Sequence, residues 1–176
     1  MAISSVQEAE IDQALEVLVQ TPVGTIVVVD SNGALYSEQV QLLVKKYQAA
    51  VEGTGKQVGI HAHNNQQLAF ANTIEGIIHG ANRIDATMGG MGRGAGNCPM
   101  ELLLGFLRNP KFHIRPIWQL LQDQLPKILK TMEWGPYPPY IISGQYNQHP
   151  RAAMAWRAGD QKNQCADFYD KVMADN

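Results

Sequence analysis

Apolar and polar positions along this chain follow two rhythms in turn. Ile11, Ala14, Leu15 and Leu18 recur at helical spacing up to Gln20, and Ser5-Val-Gln-Glu8 ahead of them has the S-x-x-E form of a capping box. Thr25-Ile-Val-Val-Val-Asp30 then breaks the rhythm with a continuous β-branched run, which predicts a strand buried on both faces. Ser37 is placed to cap a second helix, whose stripe is Val40, Leu43, Val44, Tyr47 and Val51, ended by Gly53. Gln57-Val-Gly-Ile-His61 reads as a second strand. Residues 66–79 read as a third helix, with Ile74, Ile77 and Ile78 on one side and Gly80 as its stop. Arg83-Ile-Asp-Ala-Thr87 predicts a third strand, a glycine-rich loop follows, and Pro99 opens another helix at a first-turn position.

Strands that alternate with helices across short connections argue for a parallel sheet, either doubly wound or closed into a barrel. After Asn109 the alternation stops. Residues 116–130 read as a helix that Pro126 should kink or divide, and Trp134-Gly-Pro-Tyr-Pro-Pro-Tyr140 as an irregular segment. Helical stretches near residues 149–157 and 163–173 finish the chain. The expected organisation is therefore an α/β unit over residues 1–109 and a helical extension over residues 110–176.

Composition narrows the classes of function. With 176 residues, 45% of them hydrophobic, the chain can form one ordinary core. A net charge of −2 with no basic stripe argues against nucleic acid or an anionic membrane surface as partner. No apolar run approaches the roughly 20 residues of a membrane helix, and residues 1–20 carry acids without the basic start of a signal peptide. Cys98 and Cys165 stand far apart without a C-x-x-C pattern, as expected of reduced thiols in a cytoplasmic protein.

Two segments carry chemistry. In Gly59-Ile-His-Ala-His-Asn-Asn65, residues two apart on a strand face the same way, so His61 and His63 present their imidazoles together. Such a pair at a strand end suits Zn, Mn, Fe or a similar cation, although polar rim positions give the same H-x-H pattern. C-terminal strand ends are also where parallel α/β sheets form their sites. The second segment is Met88-Gly-Gly-Met-Gly-Arg-Gly-Ala-Gly-Asn97, whose five glycines let the backbone approach a bound group closely. It lacks the Walker lysine, and no acid follows at the spacing that a dinucleotide site requires, so a nucleotide is disfavoured.

Taken together, H-A-H-N-N, A-N-R-I-D-A-T and G-M-G-R-G-A-G-N resemble the metal-dependent (β/α)₈-barrel aldolases, lyases and acyl synthases related to HMG-CoA lyase, and among them most nearly the 4-hydroxy-2-oxovalerate aldolases. The resemblance spans about residues 2–107. It implies the C-terminal half of a TIM barrel, strands five to eight, with Ala2-Ile3-Ser4 ending strand five and Met1 inside it. It implies that His61 and His63 bind a divalent cation, Mn²⁺ or Mg²⁺ first and Zn²⁺ or Co²⁺ as alternatives, with Asn97 on or beside the metal. The implied reaction is carbon–carbon cleavage or formation on a 2-oxo acid. The remaining metal ligand and the catalytic groups are expected in an N-terminal half-barrel or from a homo-oligomer, so residues 1–176 alone are expected to be inactive. Claisen-type acyl transfer, and a non-catalytic half-barrel that docks on a partner chain, are the alternatives.

Other residues divide between functional and structural readings. Asp30 can orient a ligand or substrate, or can serve as an Asx-turn or cap. Gly92, Arg93 and Gly94 are candidate substrate-binding positions, Arg93 for a carboxylate, although solvation is the commoner fate of such an arginine. Asp85 reads as structural, paired with backbone or an arginine. Cys98 reads as a small buried thiol, and His149 and Arg151 as the start of a late helix. Tyr137, Tyr140 and Tyr146 are candidates for a catalytic base by residue type only.

Overall fold

The β-branched run pairs along its whole length with the second predicted strand. In the computed structural model, which describes residues 2–175, Thr25–Asp30 (β1) and Gln57–Ala62 (β2) run parallel from Thr25↔Gln57 to Asp30↔Ala62. Arg83–Ile84 (β3) joins the far side of β2, again parallel, giving the order β1-β2-β3. Parallel strands need a crossover rather than a tight turn. Ser37–Val51 (α2) supplies it between β1 and β2, and Ala69–Ile78 (α3) between β2 and β3, while Glu8–Val19 (α1) precedes β1.

Directly paired residues of a parallel sheet point the same way, so Ile26, Val28 and Asp30 share a face with Val58, Ile60 and Ala62. All of these are buried; Ile11, Leu15, Val40, Val44, Tyr47 and Val51 of the helices pack with Ile26, Val28, Val58 and Ile60 into one core, while Ala62 joins a smaller cluster with Ala69, Cys98 and Leu103. The other face carries Val27, Val29 and His61, which are only half-buried, and the exposed Arg83. The expectation of a strand buried on both faces is thus corrected. Burial in β1 alternates, because α1 and α2 contribute to the core on one side of the sheet only.

Further corrections come from local geometry. The capping position is Gln7, whose backbone N–H donates to Glu10 Oε2 at 3.2 Å. Ser5 instead lies in a 3₁₀ turn, Ile3–Ser5, and its hydroxyl accepts from Asn32 Nδ2. That turn stands where Ala2-Ile3-Ser4 was expected to end a strand, and Met1 lies outside the described residues. Ser37 is the first residue of α2 rather than its cap. On α3 the buried residues are Ala69, Asn72, Thr73 and Gly76, while Ile78 is exposed. A Cβ on Gly76 would stand 2.9 Å from Ile60 Cδ1, so the close approach of helix to sheet selects small residues there.

Met100–Leu107 (α4) follows the glycine loop, with Pro99 at its N-cap. Arg115–Ile128 (α5) continues through Pro126 undivided, that proline falling in its last turn. Pro138–Gln145 (α6) is a helix where the sequence suggested irregular chain. Its two prolines occupy the first turn, where a missing N–H leaves no intrahelical bond unmade. Arg151–Ala158 (α7) and Cys165–Ala174 (α8) match the two late stretches. Tyr140, Ala153, Phe168 and Val172 form a second core that includes Ala95 of the glycine loop. Among the described residues, no helix is long and apolar enough to cross a membrane.

Candidate metal centre

His61 and His63 stand where the strand period places them, on the face of β2 away from the core. Their ring centroids are 5.1 Å apart and their planes are inclined by 75°. Gly59 pairs with Arg83, and two residues further the same register brings Asp85 to His61, with Oδ2 3.0 Å from Nδ1. A carboxylate there accepts the Nδ1 proton and leaves the lone pair on Nε2, the arrangement in which outer carboxylates orient metal-binding histidines. The expected partner of Asp85 was backbone or an arginine. The sheet register, had it been known, would have pointed to His61.

His63 is fixed by main-chain pairing. Its N–H donates to Asp30 O, the next N–H donates to Gly96 O at 2.8 Å, and Asn97 forms an antiparallel bridge with it. Its Nδ1 is buried without a partner. Burial first, then the charges of Arg93, His61 and His149, push its pKa down to about 4 against the opposing effect of the Gly96 backbone. The ring is therefore neutral at pH 7, the form that a cation requires.

Asn97 donates from Nδ2 to Met91 O at 3.0 Å, while its Oδ1 is buried with no partner. Two glycines make that placement possible. A Cβ on Gly92 would lie 2.5 Å from Asn97 Nδ2, and one on Gly96, at φ +90°, would lie 2.1 Å from Gly90 O. Gly92 thus serves the loop's packing and Asn97, while Gly94 is buried against Pro150 and Tyr140.

Whether these residues suit a cation rests on the donor set. Among the described residues, no three His, Cys, Asp or Glu side chains gather as a ligand group. The donors present are two imidazoles and one amide oxygen, with no carboxylate or thiolate among them. His63 Nδ1 and Asn97 Oδ1 are buried polar atoms left unsatisfied, each costing about 1–3 kcal/mol unless something engages it. The set fits a divalent cation as a partial shell, with charged ligands still to come from elsewhere.

The remaining candidates are sorted by their contacts. Asp30 is buried, and its two oxygens accept the N–H groups of Ala34 and Leu35 at 3.0 and 3.1 Å, so it anchors the turn after β1. Burial raises its pKa, with those N–H groups and that of Gly33 opposing. Arg93 donates to Ser31 O at 2.8 Å and meets His149 of the extension, a neighbour that sequence spacing gave no means of placing. Cys98 is fully buried, and burial pushes its thiol pKa up. Tyr140 donates to Glu133 Oε1, and burial with that carboxylate pushes its pKa up to about 12. Tyr146 bonds Tyr169, and Tyr137 lies under Arg157, so these tyrosines are engaged within the extension.

Comparison with known proteins bears on the same elements. The family model described as HMGL-like matches residues 1–122. A 4-hydroxy-2-oxovalerate aldolase of Thermus thermophilus is 36% identical over 116 residues, which cover 64% of this chain and 32% of that protein. An oxaloacetate decarboxylase of Mycobacterium tuberculosis is 40% identical over 83 residues, covering 47% of this chain and 24% of the other. The chain spans about a third of the length of the first of these curated relatives, or less. Among solved structures, the N-terminal domain of a protein named as an aldolase from Bacteroides vulgatus superposes with a TM-score of 0.73 at 32% identity, over 90% of this chain and 54% of that one. A parallel α/β sheet, a histidine pair at a strand end and a family match over most of the chain therefore agree: this protein belongs to the HMGL-like family and contains part of its (β/α)₈ barrel.

Proposed function

We propose that this chain forms the cation-binding side of a divalent-metal-dependent aldolase or lyase that makes or breaks a carbon–carbon bond in a 2-oxo acid. The observation that carries the reading is the set His61, His63 and Asn97, with His61 oriented by Asp85 and with buried atoms of His63 and Asn97 left unpartnered. A divalent cation bound there supplies Lewis acidity toward the carbonyl and carboxylate oxygens of such an acid. His61 and His63 hold it, Asn97 adds an amide oxygen, and Asp85 orients His61 from behind. Asp30 keeps the adjoining turn in place, and Arg93 offers positive charge at the edge of the site. Mn²⁺ or Mg²⁺ is the preferred ion, although imidazole donors suit Zn²⁺ or Co²⁺ as well.

The barrel is completed by further strands, from an N-terminal half-barrel or a second copy of the chain. Supporting this, a groove of about 370 Å³ lies beside β1, lined by Ile3, Val6, Ile11, Leu15, Val27 and Val29 among others. The base that takes up the substrate proton belongs to that complement, and residues 1–176 alone are expected to bind the cation without turnover. Two free cysteines suit a reducing compartment, the cytoplasm.

The test is Mn²⁺ affinity by calorimetry for His61→Ala, His63→Ala and Asp85→Asn. Either histidine change should weaken binding by at least ~100-fold and the Asp85 change by roughly 10–100-fold, the range for lost outer partners. Unchanged affinity in both histidine variants would sink the proposal.

A further inference from the structure

We propose that Arg93, His149 and Arg151 form a seat for an anionic group, the carboxylate or phosphate of the ligand held at the histidine pair. This rests on the reading of that pair given above and extends it to a part of the chain beyond the family match, residues 1–122. Arg93 comes from the glycine loop, whereas His149 and Arg151 flank the N-terminus of α7 in the extension.

Arg93 Nη2 donates to Ser31 O at 2.8 Å, which turns Nη1 onto His149 Nε2. The backbone N–H of Arg151 donates to His149 Nδ1 at 3.2 Å. Both ring nitrogens of His149 thus face donors, yet a neutral imidazole has one acceptor nitrogen and a protonated one has none. One contact is donor against donor as the groups stand. An anion that drew the two side chains apart and accepted from both would remove the conflict.

Charge and burial point the same way. Among the described residues, the salt bridges involve neither Arg93 nor Arg151, so the Arg93 guanidinium meets His149, with Arg151 close enough to act on both, and no carboxylate pairs with either arginine. Each arginine adds to the burial that holds the His149 pKa below its ordinary value. Asn97, at the end of the glycine loop that carries Arg93, bridges to His63, so the loop joins the two places. Beneath the cluster lies Asn65, fully buried, with neither amide atom partnered. Its Oδ1 is 3.7 Å from the Cβ position on Gly94, and Pro150 Cβ is 3.3 Å from that same position. The unsatisfied amide therefore sits under the two segments, Arg93-Gly94 and Pro150-Arg151, that bring the cations together. Charge-assisted bonds from guanidinium to carboxylate or phosphate are the strong ones, and Arg presents the fork that both anions match.

The test is an NMR titration of the metal-free 176-residue chain, following the ring signals of His149 with malonate in one arm and inorganic phosphate in the other. We expect saturable shifts, with the tighter arm telling carboxylate from phosphate. Binding should weaken by about tenfold or more in Arg93→Gln and in Arg151→Gln, the loss of one charge-assisted bond. Arg151 is exposed, so its variant remains informative even if the Arg93 change disturbs the loop. Absence of a shift with both probes, or parent-like affinity in both variants, overturns the seat. His61→Ala separates the two readings, because it should weaken cation binding by at least ~100-fold and leave the anion titration intact. Anion binding without 2-oxo acid chemistry in the completed enzyme would retain the seat and remove the aldolase reading.

Discussion

The α/β unit and the helical extension are held in place by different means. In the unit, β-branched and aliphatic residues from strands and helices meet in a large core beside a smaller cluster of Ala62, Ala69, Cys98 and Leu103, so stability is spread over many contacts. The extension has a smaller core that borrows Ala95 from the glycine loop, and directed bonds pin it to the unit. Trp134 Nε1 donates to Gly89 O at 2.9 Å, and Asn147 bonds Ser4 and Asn32 across the chain. A region held by distributed packing should weaken in proportion to the volume lost. One held by anchors should loosen locally when a single anchor is removed. The candidate centre lies where the two meet, so the extension can act on the site while adding little to the main core.

The sharpest way to break this contrast is Ile60→Ala. Ile60 is 2% exposed and packs against Gly76, so the change should cost about 2–5 kcal/mol. Urea unfolding should show one cooperative transition at a lower midpoint, and a loss confined to β2 would contradict a shared core. A smaller effect is expected from Asn147→Ala, roughly 1–3 kcal/mol, because it strips several bonds and puts a Cβ-only side chain at φ +51°. Proteolysis of the extension should then quicken while the unit's hydrogen exchange stays slow. If both regions open together, the anchor picture is wrong.

The smallest effect belongs to pH. Glu133 pairs with Arg157 at 2.5 Å, and that contact above all holds its pKa below the ordinary value of 4.5. A depressed carboxylate stabilises the fold above its unfolded pKa, and the contribution disappears as pH falls through the folded one. The pair is part-exposed, so about 0.5 kcal/mol is at stake after solvent screening. Glu133→Gln should lower the extension's stability by about 0.5 kcal/mol at neutral pH, flatten its acid limb, and converge on the parent once pH has fallen through the folded pKa. An identical acid limb in the variant would assign the effect to another group.

Much of the unit was legible because its periods are strong. The run 25–30 is the strand as predicted, and the H-x-H spacing alone put both imidazoles on one face. Register was not legible, and Asp85 needed it, because pairing to β2 decides which residue of β3 meets His61. The buried side of α3 was not legible for a related reason. Ile74, Ile77 and Ile78 form the greasier stripe, yet the helix buries Ala69, Asn72, Thr73 and Gly76, with Gly76 tight against Ile60. Helix α6 escaped notice because prolines read as breakers unless their place in the first turn is known.

By itself the sequence determined what depends on neighbours along the chain. Those features are strand and helix periods, the paired histidines, and the glycines that admit Asn97, all set by side-chain spacing and backbone sterics within a few residues. Only the tertiary structure decided which face of the sheet the helices cover, that Asp85 stands behind His61, and that His149 of the extension reaches Arg93, 56 residues earlier. Such meetings depend on how separately formed elements dock, and docking depends on summed burial and chain closure, which no local pattern encodes.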